Sequence, residues 1–143
     1  MKYLRIAILA LLLSGQMALA QNMLVRKAST EVPTSGDDVF VPISKYIAAG
    51  NSEALSAWFS DNLEIAVLAR ESDASRAQAR QIVKSFFENY TPRSFAINHT
   101  AGRDNMKYAL GTLKAGGENF SVTIFVSAKG KSFKIQQLKI EQL

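Results

Sequence analysis

From Arg93 onward the apolar residues of this chain stop recurring every three or four positions and begin to alternate. That switch, from a period of about 3.6 to one of about 2, divides the chain into a helical part and a sheet part. A strand points successive side chains to opposite faces, whereas a helix returns to the same face each turn. Phe95, Ile97 and His99 are expected on one face of a first strand. "TAGRDN" then reads as a turn, Met106 to Lys114 as the next strand and "AGGEN" as a hairpin turn. Phe120, Val122, Ile124 and Val126 alternate in the longest strand, and "KGK" turns again. In the last strand Phe133 and Ile135 are odd-numbered while Leu138 and Ile140 are even. One extra residue near Gln136-Gln137, a β-bulge, keeps all four facing the core and bends the sheet.

Upstream, the pattern is helical. Asp37 and Asp38 supply an N-cap and first-turn acids, Val39, Ile43, Tyr46 and Ile47 fall on one face, and Gly50 stops the helix in the C′ position. Ser52 is expected to cap a second helix, "SEALSAWFSDN", with Leu55, Trp58 and Phe59 as its apolar side. Leu63 to Ala69 alternates as a strand with Glu64 facing out. Ser75 and Gln78 then form a capping box ahead of Ala79, Ile82, Val83, Phe86, Phe87 and Tyr90, and Thr91-Pro92 ends that third, longest helix. These elements give an α+β fold: three N-terminal helices packed on a curved, cone-like antiparallel sheet of four to five strands.

This order resembles the nuclear-transport-factor-2-like (ketosteroid-isomerase-like, cystatin-like) fold. More narrowly, "LARESDASRAQARQIVKSFFENYTPRSF", "YALGTLKAGGENFSVTIFV" and "FKIQQLKIE" look like a domain-of-unknown-function family of secreted bacterial proteins with that fold. The resemblance implies the fold and an extracytoplasmic address, and no activity. Enzymes of the wider fold set an acid or histidine base inside the cone, so function has to be argued from residues.

The first twenty residues have a separate logic. Lys2 and Arg5 form a positive region, Ile6 to Leu13 a short apolar one, and Ala18-Leu19-Ala20 a small-x-small cleavage site. This is the pattern of a signal peptide, interrupted by Ser14, Gly15 and Gln16 well short of the roughly 20 apolar residues of a spanning helix. The expectation is an exported protein, periplasmic or secreted, with no stable membrane anchor after cleavage. A polar tail is expected over 21–36 and one domain over 37–143. There is no cysteine, so the fold must rest on its core rather than on disulfides. Lys and Arg number 17 against 12 acids, and they are dispersed rather than gathered in a stripe, which argues against nucleic acid as a partner.

An isomerase of this fold needs an inward carboxylate base. Here Glu64 faces out, and Glu118 and Glu141 lie at a turn and near the end of the chain. His99, the single histidine, is the one candidate base, expected inward beside Tyr90 and Tyr108. Its other reading is a rim residue bonded to a carbonyl or to water. The expected ligand pocket comprises Trp58, Phe86, Phe87, Tyr90, His99, Tyr108 and Gln137, with a small apolar or amphipathic molecule as partner. A homodimer is the alternative partner, through the outer face of the long strand at Thr123 and Phe125, flanked by Ser121 and Ser127. One histidine and no cysteine support neither a metal site nor a cofactor. "NYT", "NHT" and "NFS" match the glycosylation pattern at a frequency chance supplies, and "GTLKAGG" lacks the Lys-Ser/Thr ending of a phosphate loop.

Overall fold

The structure, a computed structural model, describes residues 39–143. The expected signal peptide, the polar tail and the capping acids Asp37 and Asp38 lie outside the described residues.

Helix α1 (Phe40–Ala49) buries Phe40, Ile43 and Ile47 and stops at Gly50, as its sequence requires. Gly50 sits at φ 67° and donates its N–H to the Ile47 carbonyl, while Asn51 N–H reaches the Tyr46 carbonyl. These two bonds form a Schellman motif, and only glycine adopts that backbone without strain. Helix α2 (Ser52–Ser56) is shorter than its apolar spacing suggests. Asn51, not Ser52, is its cap, accepting from Ala54 N–H at 3.0 Å. After Ala57 and Trp58 the chain enters strand β1 (Phe59–Val67). Leu55, Trp58 and Phe59 fit a helical face, but a helix of this length has little cooperativity to defend itself. The sheet takes the rest of the segment: Ile135 N–H bonds the Trp58 carbonyl at 2.6 Å, and Arg76 Nε bonds the Phe59 carbonyl at 3.2 Å. Phe59 is still fully buried, now from a strand.

Strand β2 (Arg70–Ser75) was not expected, because "RESDAS" carries no apolar alternation. It pairs antiparallel with β1 alone and forms one edge of the sheet, where charged residues discourage further pairing. Ser75 then closes the capping box: its Oγ accepts from Gln78 N–H at 3.2 Å and Gln78 Oε1 accepts from Ser75 N–H at 3.1 Å. Such a box is worth about 1 kcal/mol and fixes where α3 (Arg76–Asn89) begins. The buried face of α3 is Ala79, Val83, Phe86 and Phe87.

Strands β3 (Pro92–Arg103), β4 (Met106–Ala115), β5 (Glu118–Lys129) and β6 (Ser132–Gln142) follow as a meander. The sheet has six strands in the order β2-β1-β6-β5-β4-β3. Six replaces the four to five expected, and the sheet is mixed, since β1 runs parallel to β6. The predicted bulge in β6 is present: Phe125 faces Gln137 and Val126 faces Ile135, leaving Gln136 as the extra residue. Ile135, Leu138 and Ile140 are all buried as a result. The turn before β4 is shorter than "TAGRDN", because Arg103 already pairs with Met106. Midway along β4, Gly111 leaves space that the Phe95 ring occupies; a Cβ there would lie 2.5 Å from that ring.

Candidate functional site

Two faces of this sheet can meet another molecule, and strand register decides which residues reach each. On β5 the inner face is Phe120, Val122, Ile124 and Val126, all fully buried. Residues directly paired across antiparallel strands share a face, so Tyr108 and Phe125, which pair, lie together on the outer face. Gln137 also pairs with Phe125 and is outer.

A second bulge moves His99. Ile97 pairs with Gly111 and His99 with Leu110, so Asn98 is extra and the alternation flips after Ile97. His99 therefore leaves the face of Phe95 and Ile97, joins Leu110 and Tyr108 on the outer face, and is exposed. It lies apart from the interior, and among the described residues its imidazole has no hydrogen bond or ion pair.

Inside, the aromatic residues divide. Phe120 meets Phe86 edge-on at 5.1 Å and Tyr90 edge-on at 5.0 Å, and Phe86 stacks on Tyr90 at 5.2 Å. Phe87 is buried against Phe86 at 5.9 Å, and Trp58 packs half-buried on the same core. This block is filled. On its other side Phe86 and Tyr90 border a cleft of about 1000 Å³ between the β1–β2 hairpin and the C-terminal half of α3. Ile65, Val67, Ile82 and Phe86 supply its apolar floor, and Arg70, Glu71, Ser72, Ser85 and Asn89 its polar rim. A shallower groove of about 610 Å³ continues along β2 and α3 past Ser72 and Ile82. Ligand sites run from about 300 to 1000 Å³ with mostly apolar walls and a few placed polar groups. The cleft lies at the upper end of that range and combines an apolar floor with a polar rim of comparable extent.

The hairpin that closes the cleft is strained. Val67 pairs with Arg70, so Leu68-Ala69 is a two-residue turn, and both residues have positive φ, 54° and 77°. Asn-Gly or Gly-Gly is the usual content of such a turn, and a side chain there costs about 1–2 kcal/mol per residue. Leu68 is held in place by its N–H bond to the Ile140 carbonyl at 3.0 Å and by packing on the core.

Of the seven expected pocket residues, the structure brings Phe86 and Tyr90 to the cleft. Trp58 and Phe87 belong to the packed core, and His99, Tyr108 and Gln137 to the outer face, where the expected interface residues Thr123 and Phe125 also lie. The bulged residue itself is Gln136, whose Nε2 is buried without a hydrogen-bond partner. The alternation in the sequence predicts the strand that carries Ile65 and Val67 but neither β2 nor the hairpin, so it does not place Ile65 to Ser72 as a wall of the cleft. The hairpin's one sequence signal is "LAR" between an alternating run and a capping box, where a turn must fit without glycine. Among the described residues no group of three or more His, Asp or Glu is placed to hold a metal ion.

Residues 40–141 match the family described as "domain of unknown function (DUF4783)". Among solved structures, a DUF4783 family protein from Bacteroides ovatus is similar at 23% identity and a TM-score of 0.71, over 76% of this chain and 98% of that one. Another, from Bacteroides uniformis, is similar at 24% identity and 0.69, over 71% and 94%. A protein of the NTF2-like family from Streptomyces avermitilis shares the fold at 9% identity and 0.55, over 73% and 92%. Among curated proteins, none matches.

Proposed function

The chain belongs to the DUF4783 family, with an NTF2-like fold, and from that premise we propose that it is an exported, non-enzymatic domain holding a small apolar or amphipathic molecule. The observation that carries this reading is the cleft at α3, with Ile65, Val67, Ile82 and Phe86 below and a polar rim above. Its two charged lining residues, Arg70 and Glu71, are neighbours on a strand and so direct their side chains to opposite faces. That supports binding over acid–base chemistry, which needs two groups converging on one reacting atom. His99, exposed on the other side of the sheet, has no converging partner and no observation favours it as a base. Export rests on the three-part pattern of the first twenty residues.

Native mass spectrometry of the gently purified protein tests the reading. A retained mass is expected on the wild-type chain and lost in Ile82→Glu, which puts a charge on the floor of the cleft. Identical, unliganded spectra from both would count against it.

A second reading, a homodimer through the outer face, is favoured by one observation. Tyr108 and Phe125 pair directly across β4 and β5, both half-buried, with Leu110 and Thr123 the next pair along. Sedimentation velocity distinguishes the cases: a dimer that Phe125→Glu dissociates supports the interface, and a monomer at high concentration removes it.

A further inference from the structure

The cleft has an electrostatic sidedness that narrows what it would hold. Register places Ser72 opposite Ile65 and Arg70 opposite Val67, so these two polar residues share the face of the apolar floor. Glu71, which also borders the cleft, pairs with Ala66 and Asp73 with Glu64, so the side chains of the β2 acids point to the other face. There they have a cation of their own. Lys139 binds Glu141 at 3.1 Å, and its ammonium is held above the ordinary lysine range chiefly by that hydrogen bond and charge, with smaller attractions from Glu71 and Glu64. Arg76, at the start of α3, is also engaged, bonding Asp61 at 2.9 Å. The Arg70 guanidinium, by contrast, makes no ion pair or hydrogen bond among the described residues. The helical wall offers Ser85 and Asn89, neutral hydrogen-bonding groups, and no charge. The strained Leu68-Ala69 turn fixes Arg70 immediately after it at the rim.

We propose that the cleft takes an anionic amphiphile, its hydrocarbon body on Ile65, Val67, Ile82 and Phe86 and its carboxylate or similar oxyanion head on the Arg70 guanidinium. This rests on the reading of the cleft as a ligand site and adds the sign of the head group. A guanidinium presents paired N–H donors that match a carboxylate. Ser72, one turn of the pleat away on the same face, is placed to donate a further bond.

Three probes with one tail separate head from body: dodecanoate, dodecanol and dodecyltrimethylammonium, titrated calorimetrically below their micelle-forming concentrations. On the wild-type protein dodecanoate should bind about fivefold more tightly than dodecanol, a modest factor because Arg70 is exposed and partly screened. The ammonium should bind more weakly than either. Arg70→Gln should bring dodecanoate down to the dodecanol affinity and leave dodecanol unchanged, and Arg70→Lys should keep part of the preference. Added salt should shrink the same gap. Equal binding of acid and alcohol, tightest binding of the ammonium, or a preference that survives Arg70→Gln overturns the head-group assignment while leaving the cleft as a site. If all three probes fail to bind, or bind Ile82→Glu as well as they bind wild type, the cleft reading falls and this inference with it.

Discussion

Two hairpin turns of this protein have nearly the same backbone and opposite chemistry. The β4–β5 turn is Gly116-Gly117, with φ 58° and 78°; the β1–β2 turn is Leu68-Ala69, with φ 54° and 77°. Glycine adopts these angles freely, and leucine and alanine do so at a cost. The glycine turn rests on the filled part of the molecule: Gly116 N–H bonds the Thr91 carbonyl at 3.0 Å, and a Cβ on Gly116 would lie 3.1 Å from Tyr90. The Leu-Ala turn hangs over the cleft. Gly116 thus stands where packing leaves no room, Gly117 where only the backbone asks for glycine, and side chains persist where they wall an open space. Such strain persists only where the surrounding structure holds a conformation that the local sequence disfavours.

The sharpest contrast lies in the ground beneath the two turns. Phe120 is fully buried with Phe86 and Tyr90 edge-on against it, so Phe120→Ala should cost about 3–5 kcal/mol in equilibrium unfolding. Ile82 is half-buried at the cleft, and Ile82→Ala should cost about 1 kcal/mol, because much of its surface already meets solvent. Equal losses at the two positions would mean the cleft is as tightly packed as the core.

That division was only half legible beforehand. The bulge in β6 shows in the sequence because apolar residues on both sides of Gln136 record the change of phase. The equivalent bulge in β3 leaves no such record: after Ile97 come Asn98, His99, Thr100 and Ala101, none apolar enough to betray which face it occupies. The alternation of Phe95 and Ile97 therefore points His99 inward, although that alternation ends at the bulge. Phe86 and Tyr90 could be found because α3 is a strongly one-sided helix with its start marked by a capping box. Their facing wall could not, since β2 is an edge strand whose charged residues conceal its pairing and whose turn lacks the glycine that usually announces a hairpin. The end of α2 is hidden for a third reason. Trp58 and Phe59 satisfy a helical period, and only long-range bonds to Ile135 and Arg76 decide for the strand.

The turns themselves can be exchanged in part. Gly116→Ala meets two penalties, a left-handed backbone and a Cβ pressed on Tyr90, and should cost about 2 kcal/mol. Gly117→Ala meets only the first, having nothing within 4 Å, and should cost about 1 kcal/mol. Thermal or urea unfolding of both variants separates clash from strain. If the two losses were equal, Tyr90 would be yielding, and the glycine turn would not owe its composition to packing.

The smallest effect has the opposite sign. Ala69 is exposed at φ 77°, so Ala69→Gly relieves about 1–2 kcal/mol of backbone strain and loses about 0.5–1 kcal/mol to the greater freedom of glycine in the unfolded chain. The balance is a stabilisation of about 0.5 kcal/mol, measurable as a rise in the urea midpoint with an unchanged slope. The same variant loosens the turn that fixes Arg70, so it should weaken dodecanoate more than dodecanol. A gain in stability joined to a loss of head-group preference is the pattern expected when strain is kept for a site. A gain in stability with the preference intact would make the Leu-Ala turn a tolerated defect, and the contrast with Gly116-Gly117 would then concern packing alone.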